Sequence, residues 1–108
     1  AEASGGDDII VRGPLRIDKE HFAVTLEGTP LTLTRSEFNL LRLLARRSGV
    51  VFSRDRIVDA IHGPDYAVTD RSVDVLVVSL RRKMGAHSGL VETVRGVGYR
   101  FRTDTEQA

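Results

Sequence analysis

The sequence of 108 residues contains no cysteine and no tryptophan, and its only aromatic residues are four phenylalanines and two tyrosines. Without cysteine, the chain can form neither a disulfide framework nor a thiolate metal site, which fits a reducing cytoplasm. No apolar run approaches the roughly 18 residues that span a bilayer. The scarcity of aromatic side chains also argues against an RNA-binding sheet, because such sheets expose aromatics for base stacking.

The sequence also lacks the known signatures of enzyme active sites. It contains no G-x-S-x-G, P-loop or H-E-x-x-H motif. The three histidines, His21, His62 and His87, are predicted in a strand, at a helix end and in a loop, without metal-ligand spacing. Asp55 and Asp59 share one face of a predicted helix, and we interpret them as solvated surface carboxylates and not as a catalytic pair. We therefore predict that the chain is not an enzyme and uses no cofactor or metal.

The charge of the chain is nearly balanced in total but unevenly distributed. The net charge is +1, yet residues 1–8 carry three acids and residues 103–108 carry two, with no base in either segment. The remaining chain has 16 basic and 10 acidic residues, and residues 69–102 have seven basic against three acidic ones. This basic C-terminal part would attract a polyanion, although a solvated basic face would have the same composition.

The chain divides into one domain and two short ends. Residues 1–8 (AEASGGDD) are small and polar, which is typical of an interdomain linker, and they suggest that another domain preceded this one. Residues 9–102 have the length and apolar content of a single globular domain. Residues 103–108 are predicted to form a flexible tail.

The first third of the domain has the pattern of short strands. Residues 9–33 alternate between apolar and polar positions, interrupted by glycine, proline and charged turn residues. This period of two predicts about four antiparallel strands with one apolar face. The alternating apolar positions are Ile9 to Val11, Leu15, Ile17, Phe22, Val24, Leu26, Leu31 and Leu33.

Two helices are predicted next from their capping residues. Thr34 and Glu37 fit a capping box, and apolar residues at helical spacing follow them. Gly49 is predicted to be the C-cap of this first helix. Ser53 is predicted to cap a second helix, which a Gly-Pro pair ends before a connecting loop at residues 62–68.

The next segment is open to two interpretations. The β-branched run at residues 73–78 could form a buried strand. A helix over residues 70–84, ended by Gly85, agrees better with the spacing of the apolar residues. Positions i, i+4, i+7 and i+11 lie on one face of a helix, and these positions are occupied by Val73, Val77, Leu80 and Met84.

The outer face of this third helix suits the major groove of DNA. Arginine pairs with guanine edges or phosphates, serine can bond to several bases, and valine methyls can contact thymine methyls. A protein interface is the alternative, because two of the residues on this face are apolar. Opposite the apolar stripe, a helical projection places Arg71, Ser72, Val75, Val78, Ser79 and Arg82.

A hairpin is predicted at the end of the domain. Two short apolar runs within residues 90–102 flank Gly96-Val97-Gly98, whose glycines let the backbone approach a partner closely. Tyr99 and Phe101 are expected to pack on the core while Arg95 reaches outward. A basic hairpin next to a basic helix offers two contact elements, one for each of two neighbouring grooves.

Five stretches of the sequence occur in the order of a known family. They are LTRSEFNLL (33–41), GVVFSR (49–54), RSVDV (71–75), LRRK (80–83) and VRGVGYRF (94–101). Together they span most of the domain. In these motifs and their order, the chain resembles the OmpR/PhoB-type winged-helix effector domains of bacterial two-component response regulators.

The resemblance implies an α+β fold with a four-stranded antiparallel sheet, three helices and a C-terminal β-hairpin, the wing. It implies sequence-specific binding of double-stranded DNA and regulation of transcription in the bacterial cytoplasm, in association with the nucleoid. Helix 70–84 would lie in the major groove and wing 90–102 in the minor groove. The family binds direct repeats in promoters as a head-to-tail pair, after phosphorylation of an N-terminal receiver domain, and can contact RNA polymerase.

The resemblance and the helical projection together define the candidate site. Arg54 and Thr93 would hold phosphates, and Arg95 would enter the minor groove. The full set of expected DNA contacts is Arg54, Arg71, Ser72, Val75, Val78, Ser79, Arg81, Arg82, Thr93, Arg95, Gly96 and Tyr99. The loop that could touch RNA polymerase would contain His62, Gly63, Pro64, Asp65 and Tyr66.

The third helix departs from the family pattern at three positions. Members often carry histidine in place of Leu76, a small polar residue in place of Val78, and arginine or asparagine in place of Ser79. These replacements leave fewer groups for hydrogen bonds to base edges. We therefore expect more reliance on phosphate contacts, thymine methyls and DNA shape.

Overall fold

The computed structural model describes residues 9–61 and 70–102, without the side chains of Asp70 and Arg71. The predicted linker at 1–8, the connecting loop at 62–68 and the tail at 103–108 lie outside the described residues. The architecture is the predicted winged helix. Its elements are β1 (Ile9–Arg12), β2 (Leu15–Asp18), β3 (Ala23–Leu26), β4 (Thr29–Leu31), α1 (Arg35–Arg46), β5 (Phe52–Ser53), α2 (Arg54–Ile61), α3 (Asp70–Met84), a 3₁₀ segment (Gly85–Leu90), β6 (Val91–Val94) and β7 (Gly98–Phe101).

The first four strands form the predicted antiparallel sheet, with each strand next to its neighbour in the chain. Arg12 attaches this sheet to the end of α1, because its Nε donates to the Ala45 carbonyl and to Ser48 Oγ, both at 2.9 Å. A helix end leaves carbonyls without partners, and Arg12 satisfies two of them, because its Nη2 also donates to the Arg46 carbonyl at 3.4 Å. The apolar face of the sheet is buried through Ile10, Leu15, Ile17, Val24 and Leu26.

Two strand boundaries differ from the prediction. Phe22 lies in the turn before β3 with a φ of 54°, and 51% of its surface is exposed. Its ring packs against Phe38 with 4.2 Å between centroids. The apolar side chain at this position therefore serves an aromatic contact and does not belong to the buried face of a strand. β4 ends at Leu31, because the following residues already lead into the cap of α1. Leu33 nevertheless packs against the core.

Helix α1 begins as predicted but ends differently. The Thr34 hydroxyl accepts a hydrogen bond from the Glu37 amide at 3.2 Å, and the Glu37 carboxylate accepts one from the Thr34 amide at 2.9 Å. The prediction of Gly49 as C-cap is wrong, because Arg47 occupies that position. Gly49 instead adopts a φ of 88° and donates its amide to the Phe101 carbonyl at 2.8 Å, which joins this turn to β7.

The ambiguous segment 73–78 is helical. Within α3, the predicted stripe of Val73, Val77, Leu80 and Met84 is buried in the core, each residue being at most 3% exposed. The helix gives way to the 3₁₀ segment at Gly85, which has a φ of 58°. His87 lies at a kink within this segment, with a non-helical φ of −101° and ψ of 18°, and His21 lies in a turn and not in the predicted strand.

The wing belongs to a second sheet that the sequence patterns did not predict. Besides the β6–β7 hairpin, β7 pairs with the two-residue strand β5, so the sheet has the order β5-β7-β6. Gly98 lies in the central strand β7 and pairs with Ser53 of β5 on one side and with Val94 of β6 on the other. The wing is thereby attached to the segment that enters α2.

Candidate nucleic-acid interface

The outer face of α3 exposes two valines next to polar groups. Val75 is 64% exposed and Val78 is 54% exposed, although both lie on a helix whose opposite side is completely buried. They line a shallow depression of about 300 Å³ together with Asp74, Ser79 and Arg82. Leu76, predicted at the flank of the core, packs against it and is partly buried. The core thus fixes the helix and leaves this face available to a partner.

Ser79 lies at the edge of this face, but its hydroxyl is engaged inside the protein. It donates to Glu37, whose side chain is only 4% exposed, and Lys83 donates to the same carboxylate at 2.6 Å. Burial alone would raise the pKa of Glu37, but the hydrogen bonds from Lys83, Ser79 and the Thr34 amide outweigh it and lower this pKa. Glu37 therefore joins the start of α1 to the last turns of α3.

The tip of the wing is exposed and basic. Arg95, Gly96 and Val97 form the turn between β6 and β7, and all three are exposed. Gly96 adopts a φ of 79°, a conformation that glycine favours. Behind the tip, Arg100 pairs across the hairpin with Glu92 at 2.9 Å, and Arg102 lies 3.8 Å from the same carboxylate, so Glu92 offsets only part of the positive charge of the wing.

Arg81 connects α3 to the wing. Its Nε and Nη2 donate to the Val91 carbonyl at 3.0 and 2.8 Å, and Nη2 also donates to the Thr93 hydroxyl at 2.8 Å. Its guanidinium carbon lies 5.8 Å from the centre of the Tyr99 ring. Most of the donor capacity of Arg81 is therefore used to hold the wing against α3, whereas Arg82 on the neighbouring position is exposed.

Tyr99 is buried, with 7% of its surface exposed. Its hydroxyl donates to Asp74 Oδ1 at 2.5 Å, and Nε of Arg54 donates to the same oxygen at 2.8 Å. The pKa of Asp74 is lowered by the Tyr99 hydrogen bond and then by Arg54, whereas burial and the contact with Asp74 raise the pKa of Tyr99. At neutral pH the carboxylate is thus charged and the phenol is protonated.

The structure brings most of the predicted site residues together around α3 and the wing. The exposed ones are Arg54, Val75, Val78, Arg82, Thr93, Arg95 and Gly96, whereas Ser72, Ser79 and Arg81 are partly buried and Tyr99 is buried. The backbone of Arg71 is helical, but its side chain lies outside the described residues, as does the whole of the predicted polymerase loop (His62, Gly63, Pro64, Asp65 and Tyr66).

Two acidic residues at this site were not among the predicted site residues. Glu37 was recognised only as a capping residue, and its contacts with α3 require the tertiary fold. Asp74 had a signal in the sequence, because Asp74 and Glu92 are the only acids between Arg71 and Arg102. An acid on the face of a basic helix indicates a local cationic partner, and here that partner is Arg54.

The described ranges contain no group of three or more His, Asp or Glu side chains arranged to hold a metal ion. Among the same residues, no helix is long and apolar enough to cross a membrane.

Comparison with known proteins identifies the family of the chain. Residues 28–101 match the family described as "Transcriptional regulatory protein, C terminal". The transcriptional regulatory protein VxrB of Vibrio cholerae is 45% identical over 101 residues, which are 92% of this chain and 40% of VxrB. The sensory transduction protein RegX3 of Mycolicibacterium smegmatis is 38% identical over 93% of this chain and 45% of RegX3. The chain thus spans less than half the length of these relatives.

Solved structures agree with this family and with the fold. The response regulator DrrB of Thermotoga maritima, an OmpR/PhoB homologue, superimposes with a TM-score of 0.77 at 28% identity, over 89% of this chain and 45% of DrrB. The DNA-binding domain of Klebsiella pneumoniae RstA, crystallised in complex with the RstA box, has a TM-score of 0.75 at 34% identity, over 87% of this chain and 96% of that domain. The chain therefore belongs to the C-terminal domain family of transcriptional regulatory proteins, and its fold is the winged helix of the OmpR/PhoB response regulators.

Proposed function

We propose that this domain binds double-stranded DNA in a sequence-specific manner and regulates transcription as the output domain of a response regulator. The observation that carries the proposal is that α3, with its exposed outer face, is joined to a wing whose tip is exposed and basic. Arg81 and Asp74 connect the two elements through Thr93 and Tyr99. The RstA domain in complex with its DNA box has the same fold, which supports a DNA ligand here.

In this proposal α3 is the recognition helix and lies in the major groove. Its exposed valines, Val75 and Val78, meet thymine methyl groups in the shallow depression on the helix face. Arg71, Ser72 and Arg82 supply the polar contacts to bases and phosphates. Ser79 donates to Glu37 and is therefore the weakest of the predicted base contacts. A face of this kind reads methyl groups and shape more than base-edge hydrogen bonds.

The remaining predicted contacts fall on the DNA backbone and in the minor groove. Arg54, at the first position of α2, and Thr93, on β6, would each hold a backbone phosphate. Arg95 and Gly96 at the wing tip enter the minor groove. Arg81 and Tyr99 act mainly by fixing the wing, because their polar groups are already paired within the protein.

Arg95→Ala is expected to weaken duplex binding roughly five- to tenfold and to abolish a preference for A·T-rich flanking sequence, since a narrow A·T minor groove attracts arginine. Fluorescence anisotropy with duplexes that differ only in their flanks measures both effects. Arg16→Ala is the matched control, because Arg16 is an exposed arginine on β2, far along the chain from the wing. Equal affinity of the wild type for all flanks would contradict the minor-groove role.

A protein-binding winged helix is the second candidate, because Val75 and Val78 expose more apolar surface than a polar groove requires. Salt dependence separates the two functions. Release of counterions from about four phosphates raises the Kd for duplex DNA roughly a hundredfold between 50 and 200 mM salt. Millimolar affinity for duplex DNA even at low salt would favour the protein-binding alternative.

We further propose the context in which the domain acts. An N-terminal receiver domain, attached through residues 1–8, controls it by phosphorylation, and two copies bind direct repeats head to tail in promoters. Residues 62–66, which the sequence predicts to lie in a loop, contact RNA polymerase. The site of action is the nucleoid in the bacterial cytoplasm, and the domain itself performs no catalysis.

A further inference from the structure

The proposed DNA-binding face contains one negative charge that a DNA-binding face should avoid. Asp74 lines the same depression as Val75 and Val78, and its side chain is 43% exposed. A carboxylate at this place would repel the phosphates of a nearby duplex. Its presence therefore needs a local reason, and its contacts supply one.

Three elements of the domain meet at a single oxygen of Asp74. Arg54 at the start of α2 donates its Nε to Oδ1 at 2.8 Å, and Tyr99 of β7 donates its hydroxyl to the same Oδ1 at 2.5 Å. Asp74 itself belongs to α3. The recognition helix, the predicted phosphate-binding arginine and the wing are thus joined through one carboxylate.

We propose that Asp74 is a positioning residue for DNA binding, which orients the Arg54 guanidinium toward a backbone phosphate and fixes the wing against α3. This inference rests on the proposed function. Asp74 accepts from Nε of Arg54, and the guanidinium also interacts with the Tyr99 hydroxyl. Because a guanidinium carries five N–H donors, Arg54 keeps Nη donors for a phosphate. A side chain ordered before binding loses less conformational entropy when the complex forms.

The charges at this cluster favour the same role. Hydrogen bonds from Tyr99 and Arg54 lower the pKa of Asp74, so the carboxylate stays ionised and its charge is offset by the guanidinium. Arg54 is 53% exposed, which leaves it accessible to DNA while one edge is held. Arginine suits this task because its planar fork can serve two acceptors in fixed directions.

The test compares Asp74→Ala and Asp74→Asn with the matched control Asp59→Ala, which removes an exposed helical carboxylate on α2 away from this cluster. Duplex affinity is measured by anisotropy over a range of salt concentrations in the wild-type and Arg54→Ala backgrounds. Circular dichroism melting fixes an assay temperature at which every variant is folded. If Asp74→Ala does not fold, the duplex affinity of Asp74→Asn, which keeps the Oδ1 acceptor but not the charge, is compared with that of the wild type instead.

Positioning predicts that Asp74→Ala weakens binding roughly tenfold although it removes a negative charge, and that Asp74→Asn lies between it and the wild type. The salt dependence becomes shallower by about 0.9 in log–log slope, corresponding to one lost phosphate contact. In the Arg54→Ala background, Asp74→Ala has little further effect on this slope, because the two residues act together. Asp59→Ala leaves affinity unchanged or slightly increased.

Two results would overturn the inference while leaving DNA binding intact. Asp74 variants that bind as tightly as Asp59→Ala, or more tightly, would show that the carboxylate only repels DNA. A changed preference at one base pair with an unchanged salt slope would make Asp74 a reader of cytosine. If wild-type protein shows no salt-dependent duplex binding, the proposed function and this inference both fail.

Discussion

Replacing Gly98 by alanine is expected to destabilise the domain by about 3 kcal/mol or more and to detach the wing. A Cβ at this position would lie 2.0 Å from the Phe52 carbonyl oxygen and 2.9 Å from the Ser53 Cα. Both are backbone atoms of β5, so no side chain can move aside to relieve the overlap. The β5–β7 pairing must open, and the attachment of the wing to the start of α2 is lost.

The measurement is the free energy of unfolding from denaturant titration. Gly89→Ala is the matched control, since its Cβ would meet only Arg102 Nη1 at an ordinary 3.7 Å. Gly96→Ala tests a different effect, because its Cβ finds open space but its φ of 79° strains any other residue, at a cost of about 1–2 kcal/mol. Equal stability of the Gly98 and Gly89 variants would contradict the close approach of β5 and β7.

The second large effect is expected at Glu37. Removing its carboxylate by Glu37→Ala leaves the Lys83 ammonium and the Ser79 hydroxyl without their acceptor and removes the half of the capping box that accepts from the Thr34 amide. Charge-assisted hydrogen bonds of this kind make the expected loss about 2–3 kcal/mol. Because Glu37 joins α1 to α3, DNA affinity is expected to fall as well. Denaturant titration and duplex binding at one pH measure the two losses.

The same residue makes stability depend on pH with a defined sign. The folded-state pKa of Glu37 lies below its ordinary value of 4.5, so its stabilising contribution is present above that pH and is lost as the pH falls through the lowered value. Glu37→Gln keeps a residue suited to the capping box but cannot titrate. The stability difference between wild type and Glu37→Gln is therefore expected to shrink from pH 7 to pH 3. A constant difference over this range would show that ionised Glu37 contributes nothing.

Local sequence patterns predicted the features whose causes are local. The capping box of Thr34 and Glu37 is visible at a spacing of three residues, and the buried stripe of α3 follows helical periodicity. The spacing of this stripe also correctly favoured a helix over a strand at residues 73–78, because β-branched residues are tolerated in a helix whose inner face is packed. The arrangement of sheet, helices and hairpin followed from these elements in order.

The remaining features depend on contacts between distant segments. Gly49 looked like a helix cap, but its amide pairs with Phe101, which is more than fifty positions away in the chain. Phe22 fits a period-two strand in sequence, yet packing on Phe38 takes it out of the sheet. At the candidate site, periodicity predicted Ser79 on the outer face, but the residue lies at the edge of this face and is partly buried, and its spacing could not show that its hydroxyl donates to Glu37.

Selection of bound sites from a random pool of duplex DNA tests most directly whether this winged helix reads sequence through α3. Recovered duplexes are expected to share one half-site containing thymines for Val75 and Val78, flanked by A·T-rich sequence for Arg95. Where two copies bind, the half-sites are expected as direct repeats about one helical turn apart. A recovered pool without any shared motif, bound no more tightly than the starting pool, would contradict sequence-specific recognition by this domain.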